Sequence, residues 1–433
     1  MDPEFLAELI AQALCKAEWS EKVIKRHLRA TIGAYRQHSH WLRPFLARFL
    51  NPEERGPLSR DHAEILRYVW ADPSFAGKYG SGVYVSYELD VDKLAPVGMS
   101  PASVAKDWDV PAITNSRALA NWLALSVQHL DWLADCRGLE RWASREPLRN
   151  YRYRWITKHT GGRRLVESPK PRLKSVQRQI LDGIVADIPV HKAAHAFRSQ
   201  RSVATFAKPH IDKDVVLRID LRDFFPSIQA SRVHGIFRTA GYPRTVCQLL
   251  TGLCTNRTWN GATDAPAFCV PHLPQGAPTS PALSNLCAWH LDCRLTGLAK
   301  KFGAKYTRYA DDLVFSGDRV FAKQLSRFRV FVYAIAIAEG FSIRNRKTRV
   351  MTQSQRQSLG GVLVNQRLGI SRAEFDRLKA ILTNCVRHGP KSQNRDSHPN
   401  FREHLRGRVA WVASVNKRQG ARLASLFEKI VWH

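Results

Sequence analysis

The sequence has no cysteine pair spaced C-x-x-C. Its eight cysteines are scattered over 433 residues, which argues against a zinc knuckle and against a disulfide framework. That usage predicts a reducing, cytoplasmic setting. Long hydrophobic runs are missing as well. The longest, VFVYAIAIA at 330–338, has nine residues, too short for a bilayer span of about 20. The opening stretch MDPEFLAELIAQALCKAEWS carries acids where a signal peptide carries bases. No internal repeat and no long low-complexity tract occurs. Acidic residues are scarce: 37 Asp and Glu stand against 67 Lys and Arg, a net charge of +30. Such a charge repels itself in a compact chain unless a polyanion neutralises it, so nucleic acid is the expected partner. A membrane is not expected, because neither a basic amphipathic helix nor a juxtamembrane basic cluster stands out.

What is present suffices for a folded protein. Hydrophobic residues make up 44%, enough for a core, and the length suggests two or three domains. The first ~70 residues read as helices, and residues 72–111, rich in Gly, Pro, Ser and Asp, as an irregular connection. From Asn115 or Ser116, either of which can cap a helix, Leu119, Trp122, Leu123, Leu130 and Leu133 share one helical face. At Tyr151 the character changes. YRYRWITKHTGGRRLVESP alternates and turns at Gly161-Gly162, which predicts a β-hairpin. LKSVQRQILDGIVADI then reads as an amphipathic helix, and DVVLRID as a strand ending in Asp220. KYTRYADDLVFSG reads as strand, tight turn, strand. Phe321, Leu325, Phe328, Val332 and Ile335 keep helical spacing, as do Phe375, Leu378, Leu382 and Cys385 in the tail. Strands and helices without regular βαβ alternation predict an α+β fold with helices on one face of an antiparallel sheet.

The chemistry concentrates at Asp311 and Asp312, adjacent acids between two apolar runs. Like charges repel there, and burial disfavours the charged forms. Two divalent cations would offset both costs if Asp220 joined them. Mg²⁺ takes oxygen ligands, usually one or two carboxylates plus substrate phosphates. Two such ions about 3.5–4 Å apart clamp an in-line phosphoryl displacement. A strand end and a hairpin turn can supply the acids from rigid elements.

The ordered set IDLRDFFPSI (219–228), LPQGAPTSPALSNL (273–286), YADD (309–312), GFSIRNRKTRV (340–350) and LGGVLVN (359–365) resembles the palm motifs of reverse transcriptases. The likeness is to the bacterial retron and group II intron type and covers about residues 150–433. It implies a right-hand polymerase, with fingers and palm over 150–365 and a helical thumb over 366–433. Outside the resemblance, the stretch 1–149 reads as a mainly helical extension, expected to bind RNA or a partner. By the same resemblance Asp220, Asp311 and Asp312 hold two Mg²⁺ ions, with Mn²⁺ as an alternative. Lys347 stands near the leaving pyrophosphate as a general acid. Lys158, Arg163 and Arg164 sit on the fingers hairpin that closes on the triphosphate. Asp223 approaches the triphosphate, Phe225 screens the sugar against a 2′-hydroxyl, and Gln275-Gly276 contacts nucleotide and template. Residues 359–365 resemble the primer grip, and His210, Arg198 and Arg201 are implied RNA contacts. Implied partners are a noncoding RNA serving as template and primer, the RNA–DNA hybrid product, deoxynucleoside triphosphates, and a toxin or effector protein in anti-phage defence.

Two stretches depart from the retron pattern. FAKPH (206–210) has Phe206 where Asn is expected, and Leu359-Gly360-Gly361 stands for Val-Thr-Gly. These departures bear on RNA priming rather than on the acids. His191 and His195, four residues apart, lack a nearby third metal ligand, so packing or RNA contact is the expected role. No endonuclease motif follows the thumb. Two alternatives remain: a template-independent or protein-primed nucleotidyl transferase, and an RNA-binding scaffold with an inactive palm.

Overall fold

The structure is a computed structural model and describes residues 3–16, 20–32, 35–51, 61–75, 98–157, 161–263 and 265–432. The chain divides into two compact units, Met1–Pro96 and Val97–His433. In the first, helices Pro3–Lys16, Glu21–Ile32, Tyr35–Phe49 and His62–Ala71 bury Leu6, Ile10, Leu14, Ile24, Leu28, Phe45 and Val69. Asp61 caps the last of them, its carboxylate accepting from the Glu64 N–H at 3.1 Å. Arg48 and the buried Asp72 form an ion pair at 2.7 Å.

The expected leader over 1–149 is split by this division. Residues 98–149 pack into the second unit, where Ile113, Leu119, Leu123, Leu130 and Leu133 join its main core. The single helix expected from Asn115 is two helices, Ser116–Trp122 and Val127–Ala134. Asn115 does cap the first, accepting from the Ala118 N–H at 2.8 Å. Ala124 then turns left-handed, at φ 51°, and Ser126 caps the second helix by accepting from the His129 N–H. The serine offers the backbone a cap in mid-pattern, and that ends the periodic face. The helix expected around 321–335 is likewise broken at Gln324, between Arg319–Lys323 and Leu325–Ala338.

The hairpin at Gly161-Gly162 forms as β1 (Tyr151–Thr157) and β2 (Arg163–Pro169), with Thr157 opposite Arg163. The central sheet holds β3 (Val215–Arg222), β4 (Lys305–Tyr309), β5 (Asp312–Gly317), β6 (Ser342–Ile343) and β7 (Arg349–Thr352). Its order is β4-β5-β3-β6, with β7 also on β3, and every pairing is antiparallel. The α+β expectation therefore holds.

Alternation along β3 sorts the sheet's faces. Leu217, Ile219 and Leu221, with Leu313 and Phe315 of β5, join the main core. Phe328 and Val332 of helix Leu325–Ala338 pack into the same core. Val216 and Val314 point the other way, into a second core with Phe206, the hairpin β8 (Ser358–Leu359) and β9 (Val362–Leu363), and the last helices. Those helices are Arg372–His388, Phe401–Val415 and Lys417–Glu428. Phe375, Leu378, Leu382 and Cys385 are buried as their spacing predicts. Arg218 and Asp220 alternate with Val216 and so share its face, at the strand's far end.

Candidate active site

Pairing of β3 with β5 puts Asp220 directly opposite Asp312. Tyr309 also pairs with Asp312, so Ala310 and Asp311 form the loop between β4 and β5. Ala310 is left-handed, at φ 54°. The Leu221 N–H donates to the Asp311 carbonyl at 2.8 Å, and the Arg344 N–H donates to the Asp220 carbonyl at 2.9 Å. Backbone bonds thus lock the acid turn on one side of Asp220 and the Arg344 segment on the other.

Asp220 is 2% exposed. Its Oδ2 accepts from Lys347 Nζ at 2.8 Å. Arg344 Nε lies 3.7 Å from Oδ1, yet Oδ1 is buried without a hydrogen bond. Asp312 is held at both oxygens by Arg218, Nε to Oδ1 at 2.8 Å and Nη2 to Oδ2 at 2.7 Å. Burial raises the Asp311 pKa, and the negative charges of Asp312 and Asp220 raise it further. The site therefore concentrates negative charge in a partly dry place, with Lys347, Arg344 and Arg218 as its counter-charges.

The donor set fits a hard divalent cation. It offers carboxylate oxygens only, one of them buried and unpartnered, and cations of the Mg²⁺ type take oxygen ligands. Among the described residues no three His, Cys, Asp or Glu side chains are gathered closely enough to hold a metal unaided. Asp312 is engaged at both oxygens by Arg218, which leaves Asp220, with its Oδ1 unpartnered, and Asp311 as the two acids not clamped by a guanidinium fork. Two carboxylates completed by substrate phosphates are an ordinary Mg²⁺ set.

Asp223 adjoins the site in a left-handed conformation, at φ 46°. Arg344 Nη2 donates to its Oδ1 at 3.2 Å. Of the two phenylalanines, Phe224 is core and stacks on Phe341 at 5.7 Å. Phe225 is half-buried, its ring 6.1 Å from that of Phe197. Arg163 and Arg164 are exposed at the start of β2, and Lys158 lies outside the described residues. The Gln275 carbonyl accepts from the Glu167 N–H at 2.9 Å. Gly276, at φ 141°, leaves no room for a side chain: a Cβ would sit 2.8 Å from the Glu167 carbonyl oxygen. The β1–β2 hairpin and the Gln275-Gly276 loop are thus in direct contact.

His210 is not available for the RNA contact expected of it. It is fully buried between Ser316 Oγ at 2.6 Å and Thr307 Oγ1 at 2.7 Å. Burial, then His195 and Lys213, push its pKa down to about 3. It is a neutral core histidine that ties its loop to β4 and β5. Arg198 is half-buried and donates to the carbonyls of His191 and Ala194, whereas Arg201 is exposed. His195 Nδ1 is bonded to Thr205 Oγ1 at 3.0 Å, and His191 Nδ1 accepts from the Ala193 N–H. They belong to no ligand set among the described residues.

Two features escaped the reading of the sequence. Arg218 stands two residues before Asp220, a spacing that signals a shared face but not its bond to Asp312. Glu167, fully buried, accepts from Asn256 at 2.8 Å and Thr258 at 2.6 Å and pairs with His272 at 3.0 Å. Nothing in the sequence announces that cluster, because its members come from three distant segments.

A family described as reverse transcriptase (RNA-dependent DNA polymerase) matches residues 156–363. Over 285 residues the chain is 43% identical to the retron Mx65 reverse transcriptase of Myxococcus xanthus, covering 65% of each protein. It is 36% identical to the retron Mx162 reverse transcriptase of the same organism, over 73% of this chain and 67% of that one. The retron Ec86 reverse transcriptase of Escherichia coli is 32% identical, over 65% of this chain and 82% of that one. The chain belongs to the retron reverse transcriptases. Its antiparallel sheet with flanking helices is the palm of the right-hand polymerase fold, and a mainly helical region precedes it. Divalent metal ions serve this family generally. Among the described residues of this reverse transcriptase, no helix is long and apolar enough to cross a membrane.

Proposed function

We propose that this retron reverse transcriptase copies a dedicated noncoding RNA into DNA, with Asp220 and Asp311 as the principal metal-holding acids and Asp312 as the third. The observation that carries the reading is the pairing of β3 with β5, which brings Asp220 opposite Asp312 and beside Asp311, with Asp220 Oδ1 unpartnered. Two Mg²⁺ ions bound there would lower the pKa of the primer hydroxyl and stabilise the departing pyrophosphate.

The chain's own residues have separable tasks. Lys347 Nζ, 2.8 Å from Asp220 Oδ2, would deliver a proton to the pyrophosphate. Arg163 and Arg164, with Lys158, would grip the triphosphate, guanidinium forks being suited to phosphate oxygens. Phe225, backed by Phe197, would exclude a 2′-hydroxyl. Gln275 and Gly276 would bring bare backbone close to nucleotide and template. Arg198 and Arg201 would contact RNA from their loop. Residues 366–433 would act as the thumb along an A-form hybrid read through shape and phosphates. Residues 1–149 would bind RNA or a partner. The +30 charge suits a nucleic-acid partner whose binding weakens as salt rises. We assign the whole to anti-phage defence beside an effector protein.

Purified protein with an RNA template, an annealed DNA primer, Mg²⁺ and deoxynucleotides should yield DNA complementary to the template. Asp311→Asn should abolish it, and equal extension by that variant would refute the site. Products that ignore the template would instead favour a template-independent transferase.

A further inference from the structure

The geometry points to the buried pair Asp292–Arg308 as a positioning device that holds the Ala310–Asp311 turn in its working conformation. The inference rests on the reading of Asp311 as a metal-holding acid. Both side chains are fully buried. Arg308 Nε donates to Asp292 Oδ1 at 2.8 Å and Nη2 to Oδ2 at 2.7 Å. Tyr306 Oη donates to the same Oδ1 at 2.7 Å. Asp292 sits in the first turn of helix Trp289–Lys301, so the guanidinium is anchored to the palm's interior. Its backbone is clamped too. The Arg308 N–H donates to the Ala193 carbonyl at 2.7 Å, and the His195 N–H donates to the Arg308 carbonyl at 2.8 Å.

The remaining donor, Nη1, reaches the Ala310 carbonyl at 3.2 Å. Ala310 is the left-handed residue of the acid turn. A two-residue hairpin normally puts Gly, Asn or Asp at such a position, because a Cβ opposes that conformation. Here an alanine is kept there. The carbonyl of Asp311 is bound by the Leu221 N–H and the carbonyl of Ala310 by Arg308, so the carbonyls of both loop residues are tied down. Stability alone gives no reason for this pair. An apolar pair of similar volume would usually serve a core as well or better, since desolvation offsets most of a buried ion pair's attraction. What an apolar pair cannot supply is a rigid N–H aimed at the turn. Without it the peptide after Ala310 is free to rotate, and the Asp311 carboxylate loses its set distance from Asp220.

The test compares wild type with a double variant, Asp292→Leu with Arg308→Met, and with Arg308→Lys, which keeps the charge but not the fork. Single-nucleotide extension gives kcat and KM. Titration of the free protein with Mn²⁺, followed by water proton relaxation, gives metal affinity without turnover. Expected are a deoxynucleotide KM within about twofold of wild type and a kcat lower by on the order of 10²-fold, the scale on which small misplacements act. Mn²⁺ affinity should weaken in parallel. Adding Ala310→Gly to either variant should recover at least about tenfold in kcat, because glycine holds the left-handed conformation unaided. Full kcat and Mn²⁺ affinity in both variants would overturn the proposal, and so would losses that Ala310→Gly leaves untouched. Should the double variant not fold, Arg308→Lys with and without Ala310→Gly decides by the same readings. A wild-type protein that extends no primer would count against the polymerase reading, while the Mn²⁺ affinities would still test the pair.

Discussion

Arg218 and Asp312 meet diagonally across β3 and β5, both carboxylate oxygens held by one guanidinium at 2.8 and 2.7 Å. The register makes this contact: Arg218 lies opposite Val314 and Asp220 opposite Asp312, so residue 218 reaches 312 as a diagonal neighbour on the same face. Of the acids in the turn, the second is neutralised by protein and the first is not.

Arg218→Met should therefore leave Asp312 as an uncompensated charge beside Asp220 and Asp311. Without divalent ions the variant should lose about 1–2 kcal/mol, the loss of charge-assisted hydrogen bonds discounted for the solvent that reaches both groups. Mg²⁺ should restore more stability to it than to wild type. Asp311→Asn should behave oppositely, stable without Mg²⁺ and insensitive to it. Melting curves with and without Mg²⁺ check both, and equal Mg²⁺ responses in all three proteins would refute the electrostatic account.

A dependence on pH follows from His210, whose folded pKa is pushed down to about 3 from an ordinary value near 6.5. Between those values the unfolded chain binds the proton and the folded protein does not. Stability is then full above about 6.5 and falls as pH drops through the window, by at most about 1.4 kcal/mol per pH unit. His195, pushed down to about 4 by burial and then by Arg201 and Arg198, acts in the same sense. Denaturant midpoints at pH 7 and pH 5 should differ less for His210→Gln than for wild type. Identical differences would mean that His210 is not buried neutral.

Phe225→Ala should open the nucleotide site to ribonucleotides. Phe224 is committed to the core, whereas Phe225 is half-buried against Phe197, so removing its ring should widen the pocket without collapsing the sheet. Discrimination between a deoxynucleotide and its ribonucleotide should fall on the order of 10–100-fold, read as a ratio of kcat/KM values. An unchanged ratio would assign sugar selection elsewhere.

Glu167 joins the β1–β2 hairpin to the Gln275-Gly276 loop from within. Glu167→Ala would strand His272 and free Asn256 and Thr258, at a cost of about 3–5 kcal/mol for breaking a buried pair. Glu167→Gln keeps one acceptor oxygen, enough for Asn256 and Thr258, so it should recover most of that stability. Its residual defect should appear in deoxynucleotide KM more than in kcat, because the loop is expected to bind the nucleotide. A defect confined to kcat would contradict that.

Contiguous features are legible in the sequence. The strand bearing Asp220, the turn bearing Asp311, the hairpin at Gly161-Gly162 and the buried face of helix Arg372–His388 each announce themselves within a few residues, because backbone periodicity and turn chemistry are local. Where local signals competed, the reading went astray. The Ser126 cap divides the helix expected from Asn115.

By itself the sequence determined that this is a basic chain with an antiparallel sheet and acids at strand ends and turns, since charge, period-two alternation and motif order are written along the chain. The tertiary structure alone decided which cation faces which acid: Arg218 on Asp312, Lys347 on Asp220, Arg308 on Asp292. It alone turned His210 from a surface candidate into a core residue. Partners across a sheet depend on register, and burial depends on what folds over a residue. Both are set by segments distant in sequence, 94 residues for Arg218 and Asp312, 127 for Lys347 and Asp220 and 16 for Arg308 and Asp292, which no local pattern records.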